Sequence, residues 1–300
     1  MKMNTTGLVV VVGGEVILTY GNITELSYLA SCRKSLLAML YGKYVENNSI
    51  DLNKTIEDLG FDDVGGLLPI EKTSTVFNLI TARSGVYHLG SNLGDDRAFA
   101  PERGSKTPGE YFLYNNWDFN AAGAAFESMT GQNIYDAFET DIAGPVRMED
   151  FDRSAQVKSG DMSISVFPAY HFWLSTRDMA RIGYLMLRNG RWEDRQVIHN
   201  DWAKRIVSVI TPLEEMNPES RRSGPFGYGC MWWIWDGTAC AGAFKGGYTA
   251  MGAYGQFITV LPALDMVIAH KTSNGDTSAN DYFILVHTIV NAQIIKHYLN

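Results

Sequence analysis

Leu8-Val9-Val10-Val11-Val12, Gly13-Gly14 and Glu15-Val16-Ile17-Leu18-Thr19-Tyr20 read as a β-hairpin within the first twenty residues. The valines favour the pleated backbone and the glycine pair supplies the turn. After Pro225 the same texture returns. Tyr228 to Trp235, Phe257 to Leu261 and Met266 to His270 are rich in β-branched and aromatic residues, with turn-forming residues between them. The stretch between these ends has helical periodicity. Ser31 to Val45 carries Leu36, Leu37, Leu40, Tyr41 and Tyr44 at helical spacing. Asn120 to Thr130 ends at Gly131, as a C-cap glycine would end it, and Thr176 to Leu187 stops at Asn189-Gly190. A last helical pattern runs from Asp281 to about Tyr298. A chain with strands at both ends and helices between them is most simply an α+β protein. Its antiparallel sheet is assembled from the two termini and flanked by helices, with a mostly helical region inserted. The expected division is 1–45 with 225–300 as the sheet region and 46–224 as the insert.

Apolar residues make up 46% of the 300, enough for a sizeable core and unlike a disordered chain. The net charge of −8 excludes nucleic acid as the expected partner, since no basic stripe exists to neutralise phosphates. No stretch has the run of about 20 apolar residues that spans a bilayer, so no membrane association is expected. Cys32, Cys230 and Cys240 form neither a C-x-x-C pair nor an even framework. No zinc site, metal or other cofactor is therefore expected, and a cytoplasmic or otherwise reducing location is the default. Oligomeric state is not legible.

Ser31-Cys32-Arg33-Lys34 opens the first helical run. Residues three apart lie on one helix face, so the Lys34 amine can reach the Ser31 hydroxyl and take its proton. That is the minimum equipment for covalent acyl transfer without histidine. A lysine near its reference pKa of about 10.4 is protonated and cannot serve as a base. Burial, nearby positive charge or a polar partner must lower it. Tyr114-Asn115-Asn116, in a loop after Pro108-Gly109, offers such partners. Tyr114 can relay a proton to a leaving group, and Asn116 can hydrogen-bond Lys34 or a substrate carbonyl, or else cap the helix that follows. Lys245-Gly246-Gly247-Tyr248, at the end of an expected strand, has glycines that would let a carbonyl approach backbone N–H groups. His171 reads as a hydrogen-bonded structural histidine, and Cys32 as a buried thiol. Trp232, Trp233 and Trp235 read as core residues or as walls of an acyl pocket. No G-x-S-x-G, H-E-x-x-H or G-x-x-x-x-G-K-[ST] pattern occurs.

With these motifs in order, the chain resembles the serine β-lactamase and penicillin-binding-protein superfamily, in the branch of class C β-lactamases and related esterases. That branch is marked by S-x-x-K, Y-x-N and a K-T-G, H-x-G or W-G-G element. Leu79 to Gly85, Leu174 to Arg181 and the Gly255-Gln256 strand resemble further segments of it. The resemblance implies the β-lactamase/transpeptidase-like fold, with Ser31 as acylated nucleophile, Lys34 as its base and Tyr114 in the proton relay. It also places Asn116 and Lys245 against the substrate, with Gly247 leading into an oxyanion hole formed by the Ser31 and Tyr248 N–H groups. The third motif departs from the pattern by carrying Gly246 where β-lactam-active relatives have a threonine. It can alternatively be centred on Gly252-Ala253-Tyr254-Gly255. The expected function is a serine hydrolase acting on a small-molecule ester or amide, most simply a carboxylesterase on small or medium acyl esters. The alternatives are a β-lactamase or D-alanyl-D-alanine carboxypeptidase/amidase, and a catalytically silent binding protein on the same fold.

Overall fold

The structure is a computed structural model that describes residues 4–272 and 279–299. Its organising element is a seven-stranded antiparallel sheet. The strands are β1 (Thr5–Val12), β2 (Glu15–Gly21), β3 (Phe226–Tyr228), β4 (Trp233–Trp235), β5 (Tyr248–Gly252), β6 (Gln256–Leu261) and β7 (Met266–Thr272), in the spatial order β2-β1-β7-β6-β5-β4-β3. The hairpin read at the N-terminus pairs β1 with β2, and β1 also pairs with β7, Val10 standing opposite Ile268. The two chain ends thus join at the β1–β7 seam. Having a neighbour on each side, β1 buries Leu8 to Val11 without alternation, whereas every residue of the edge strand β2 is exposed.

Strand periodicity assigns the two faces. Phe257 stacks on Tyr282 with ring centroids 3.9 Å apart, and Thr259 bonds the Tyr282 hydroxyl at 2.8 Å. Helix α4 (Ala279–Leu299) therefore covers the face of β6 that bears the odd-numbered residues. The even-numbered face meets two helices, α1 (Cys32–Glu46) and α3 (Thr176–Leu187). At Gly183 of α3, a Cβ would stand 2.3 Å from a Val267 methyl, so the helix can approach the sheet only without a side chain there. Helix α3 falls inside the 46–224 stretch, so the cover of the sheet draws on residues from the expected insert.

Helix α1 is buried from Cys32 to Tyr44 apart from Lys43, enclosed by the sheet on one side and by α2 (Asn116–Thr130) on another. The Tyr41 hydroxyl ties the two helices by donating to the Ala122 carbonyl at 2.7 Å. A helix enclosed on all sides has no polar stripe, which is why its apolar and polar letters are mixed. Three two-stranded ribbons accompany the main sheet, two of them wholly within 46–224. The third, pairing Ser27–Tyr28 with Trp173–Leu174, leads directly into the segment before Ser31.

Candidate active site

Ser31 is the N-cap of α1, yet its side chain makes no capping hydrogen bond. Serine at this position ordinarily caps the helix; here the hydroxyl is left for other use. The residue before it, Ala30, has φ +48°, a left-handed conformation that costs a non-glycine residue about 1 kcal/mol or more. The half-buried Ser31 hydroxyl lies within the field of the helix N-terminus, which favours negative charge.

One turn further on, Lys34 is buried, and its Nζ donates to the Tyr114 phenolic oxygen at 2.6 Å and to Asn116 Oδ1 at 2.7 Å. Its amine also sits 4.0 Å from the centre of the Tyr114 ring and 4.3 Å from that of Phe119. Burial holds the Lys34 pKa well below the ordinary lysine value, and the Arg33 cation beside it pushes the same way against the opposing pull of Asp95, Asp96 and Asp118. Both effects favour the neutral amine. Burial raises the Tyr114 phenol, an effect partly offset by a hydrogen-bonding contact with Ser31 and by the cations of Arg33 and Arg221. Serine, phenol and amine thus form a chain along which a proton can pass.

Asn116 does not cap α2. That role falls to Asn115, whose side chain accepts from the Trp117 N–H at 3.1 Å. The cap starts the helix at Asn116 instead of Asn120 and frees the Asn116 amide, which donates to the Leu93 carbonyl at 2.9 Å while its oxygen accepts from Lys34. Arg33 is also buried. Its Nη2 donates to Asn120 Oδ1 at 3.1 Å, its guanidinium carbon lies 4.5 Å over the Tyr170 ring, and its Nη1 has no partner among the described residues. An uncompensated buried cation is costly, and its position next to Lys34 gives it an electrostatic consequence there.

The Lys245-Gly246-Gly247-Tyr248 segment is not brought to Ser31. Lys245 is exposed in a turn, and the Gly247 N–H donates to the Phe244 carbonyl at 2.9 Å. Tyr248 is paired with Ile234 on one side and Val260 on the other. All this lies at the start of β5, whereas Ser31 lies at its end, about 13 Å further along at 3.3 Å per strand residue. A Cβ on Gly252 would stand 2.4 Å from the Leu29 carbonyl and 3.2 Å from the Ser31 nitrogen. The end of β5 thus rests directly on the start of α1, and the alternative centre on Gly252-Ala253-Tyr254-Gly255 is the one beside the serine. Thr249 pairs with Trp233 of β4. By strand alternation the N–H groups of Met251 and Ala253 face that same edge beyond the end of β4. The turn is pinned from behind: Tyr254 O accepts from Gln256 Nε2 at 3.1 Å and from the Thr272 hydroxyl, and Gly255 O bonds His270 Nδ1 at 2.9 Å.

The remaining residues of interest have structural surroundings. His171 Nδ1 bonds the Tyr28 hydroxyl at 3.0 Å, and burial with the nearby Arg33 pushes its pKa down to about 4. The Cys32 thiol donates to the Gln256 carbonyl at 3.2 Å, and burial raises its pKa. Trp232 packs on Tyr248 and Trp235 on Phe244, but Trp233 lies 5.3 Å from the Tyr114 ring and also lines a cavity with Met251, Phe226 and Phe99. No helix among the described residues is long and apolar enough to cross a membrane.

A serine at a helix start, with a buried lysine one turn on and a tyrosine bonded to that lysine, defines the class of serine hydrolases built on the β-lactamase/transpeptidase-like fold. The sequence matches the Beta-lactamase family over residues 1–285, and the chain belongs to that family. Solved structures similar to it include a provisionally described 6-aminohexanoate-dimer hydrolase from Bacillus anthracis, with TM-score 0.70, 21% identity and coverage of 99% of this chain and 80% of that one. An octameric penicillin-binding protein homologue from Pyrococcus abyssi has TM-score 0.70 at 16% identity, over 96% and 74% of the two chains. EstCE1, a hydrolase with promiscuous acyltransferase activity, has TM-score 0.64 at 14% identity, over 91% and 90%. At these identities the likeness is one of fold.

Proposed function

We propose that the protein is a carboxylesterase that forms an acyl-enzyme on Ser31. The observation that carries this reading is the buried Lys34 amine, bonded to Tyr114 and Asn116 one helical turn from the Ser31 hydroxyl. Ser31 Oγ attacks the ester carbonyl and passes its proton through Tyr114 to the neutral Lys34 amine, making the C–O bond of the acyl-enzyme. The developing oxyanion lies at the N-terminus of α1, between the N–H of Ser31 and that of Ala253. The proton held by the Lys34–Tyr114 pair then goes to the departing alkoxide. Water releases the acyl group in the reverse sense, with the pair again taking a proton.

Ester is favoured over β-lactam by the strand end that meets Ser31. It reads Met251-Gly252-Ala253-Tyr254-Gly255, with no cation to hold a substrate carboxylate and no threonine at the position the K-T-G pattern gives one. The test is turnover of a p-nitrophenyl ester panel beside nitrocefin, for the wild type and Ser31→Ala. Ester hydrolysis that disappears in Ser31→Ala is the expected outcome. Rapid nitrocefin turnover with poor ester hydrolysis would reverse the ranking towards β-lactamase, and undiminished turnover in the variant would remove Ser31 from the mechanism.

A further inference from the structure

A cavity of about 380 Å³ has Phe99, Phe226, Trp233 and Met251 among its walls, with Asp96 and Arg221 as its charged members. Met251 directly precedes Gly252, the residue packed on the Ser31 nitrogen, and the Trp233 ring is 5.3 Å from that of Tyr114. Through Met251 and Trp233 the cavity shares neighbours with the Ser31–Tyr114 site. Phe99 is 56% exposed and widens the apolar surface at its rim.

We propose that the Asp96–Arg221 ion pair is the charge filter of this cleft, holding it electrically neutral so that it takes an uncharged, largely apolar portion of an ester and rejects carboxylate-bearing ones. The inference rests on Ser31 being the acylated residue. Arg221 Nε donates to Asp96 Oδ2 at 2.7 Å and Nη2 to Oδ1 at 2.9 Å, a two-pronged pairing along the Nε–Nη2 edge of the guanidinium. The guanidinium carbon lies 5.0 Å over the Trp233 ring and 6.0 Å from the centre of the Tyr114 ring, so the cation is held against the aromatic wall. The Asp96 N–H donates to the Tyr114 carbonyl at 2.9 Å, which fixes the carboxylate to the segment carrying the relay tyrosine.

Both partners are largely withdrawn from solvent, their side chains being 14% and 32% exposed. An incoming carboxylate meets a guanidinium whose charge Asp96 already offsets and must come close to the Asp96 carboxylate itself, so its transfer from water is poorly compensated. An incoming ammonium meets the mirror-image problem. An uncharged alkyl or aryl group leaves the pair intact and gains from burial against Trp233 and Phe226.

The two partners make opposite tests. The probes are p-nitrophenyl pentanoate and its anionic counterpart of matched length, mono-p-nitrophenyl glutarate. Asp96→Asn leaves the Arg221 cation unmatched and is expected to raise the anionic-to-neutral ratio of kcat/KM by about tenfold or more, chiefly through KM, as a charge-assisted hydrogen bond would. Arg221→Met leaves the carboxylate alone and is expected to move the ratio the other way. Binding of both esters to Ser31→Ala, Ser31→Ala/Asp96→Asn and Ser31→Ala/Arg221→Met, followed by calorimetry, reads the pocket without the chemistry. Opposite shifts in the two double variants support the filter; ratios unchanged within about twofold in both overturn it. Wild-type turnover that does not depend on Ser31 would instead overturn the nucleophile, a separate result.

Discussion

The Lys34 amine lies 2.6 Å from the Tyr114 phenolic oxygen, with both residues buried. A charged lysine enclosed between the Tyr114 and Phe119 rings loses its hydration, and burial accordingly holds Lys34 well below its ordinary pKa. The desolvation that makes this lysine awkward for stability suits it to the base role proposed for it.

Lys34→Met removes that base while keeping the volume and apolar stem. We expect kcat for p-nitrophenyl butyrate to fall by about a thousandfold with little change in KM, as for loss of a general base. Steady-state kinetics on folded variant, verified by circular dichroism, checks it; a loss under tenfold would transfer the base role elsewhere.

Arg33 is the second cause of the lowered Lys34 pKa, after burial. Replacing it with methionine removes a like charge that disfavours the lysine cation, so the Lys34 pKa rises. The acid limb of the kcat/KM profile should then shift to higher pH relative to wild type. A profile that only drops in height, without moving, would make Arg33 structural.

Gly252→Ala is expected to lower kcat by about a hundredfold or more, the scale for a disturbed oxyanion site, because its Cβ would meet the Leu29 carbonyl at 2.4 Å and the Ser31 nitrogen at 3.2 Å. Lys245→Ala, on an exposed turn at the far end of β5, should stay within about twofold of wild type, since nothing there meets the serine. The reverse pattern would restore Lys245-Gly246-Gly247 as the third motif.

Lys271 donates from β7 to the Ser27 carbonyl at 2.8 Å and to the Leu174 carbonyl, and burial pushes its pKa down to about 7. Its folded pKa lies below the unfolded one, so between them the unfolded chain binds more protons. Stability therefore rises with pH from about 7 towards 10.4, at up to about 1.4 kcal/mol per pH unit, and is lost as pH falls through 7. The stability difference between wild type and Lys271→Met, from urea melts at successive pH values, should grow in favour of wild type across that window. A pH-independent difference would mean that Lys271 does not change its protonation on unfolding.

Much of this architecture was legible because it is local. The valine-rich hairpin, the helix after Ser31 and the Tyr114–Asn116 loop each announce themselves within a few residues. The start of α2 was misplaced by four residues because two asparagines compete for the cap: Asn115 takes it, and only the partner of Asn116, Lys34, 82 positions away, decides the matter. The third motif shows a different difficulty. Lys245-Gly246-Gly247 and Gly252-Ala253-Tyr254-Gly255 flank the same strand, and the letters do not say which end of β5 rests on α1. The Leu29 carbonyl against Gly252 does. The Asp96–Arg221 pair spans 125 positions and has no local signal at all.

The most direct measurement of the central claim is intact-protein mass spectrometry after brief incubation with a fluorophosphonate, with peptide mapping of the adduct, for wild type and Ser31→Ala. One phosphonyl adduct on the peptide bearing Ser31 is expected in the wild type, and none in the variant. An adduct of equal yield in Ser31→Ala, or one mapped to another residue of the wild type, would contradict that claim.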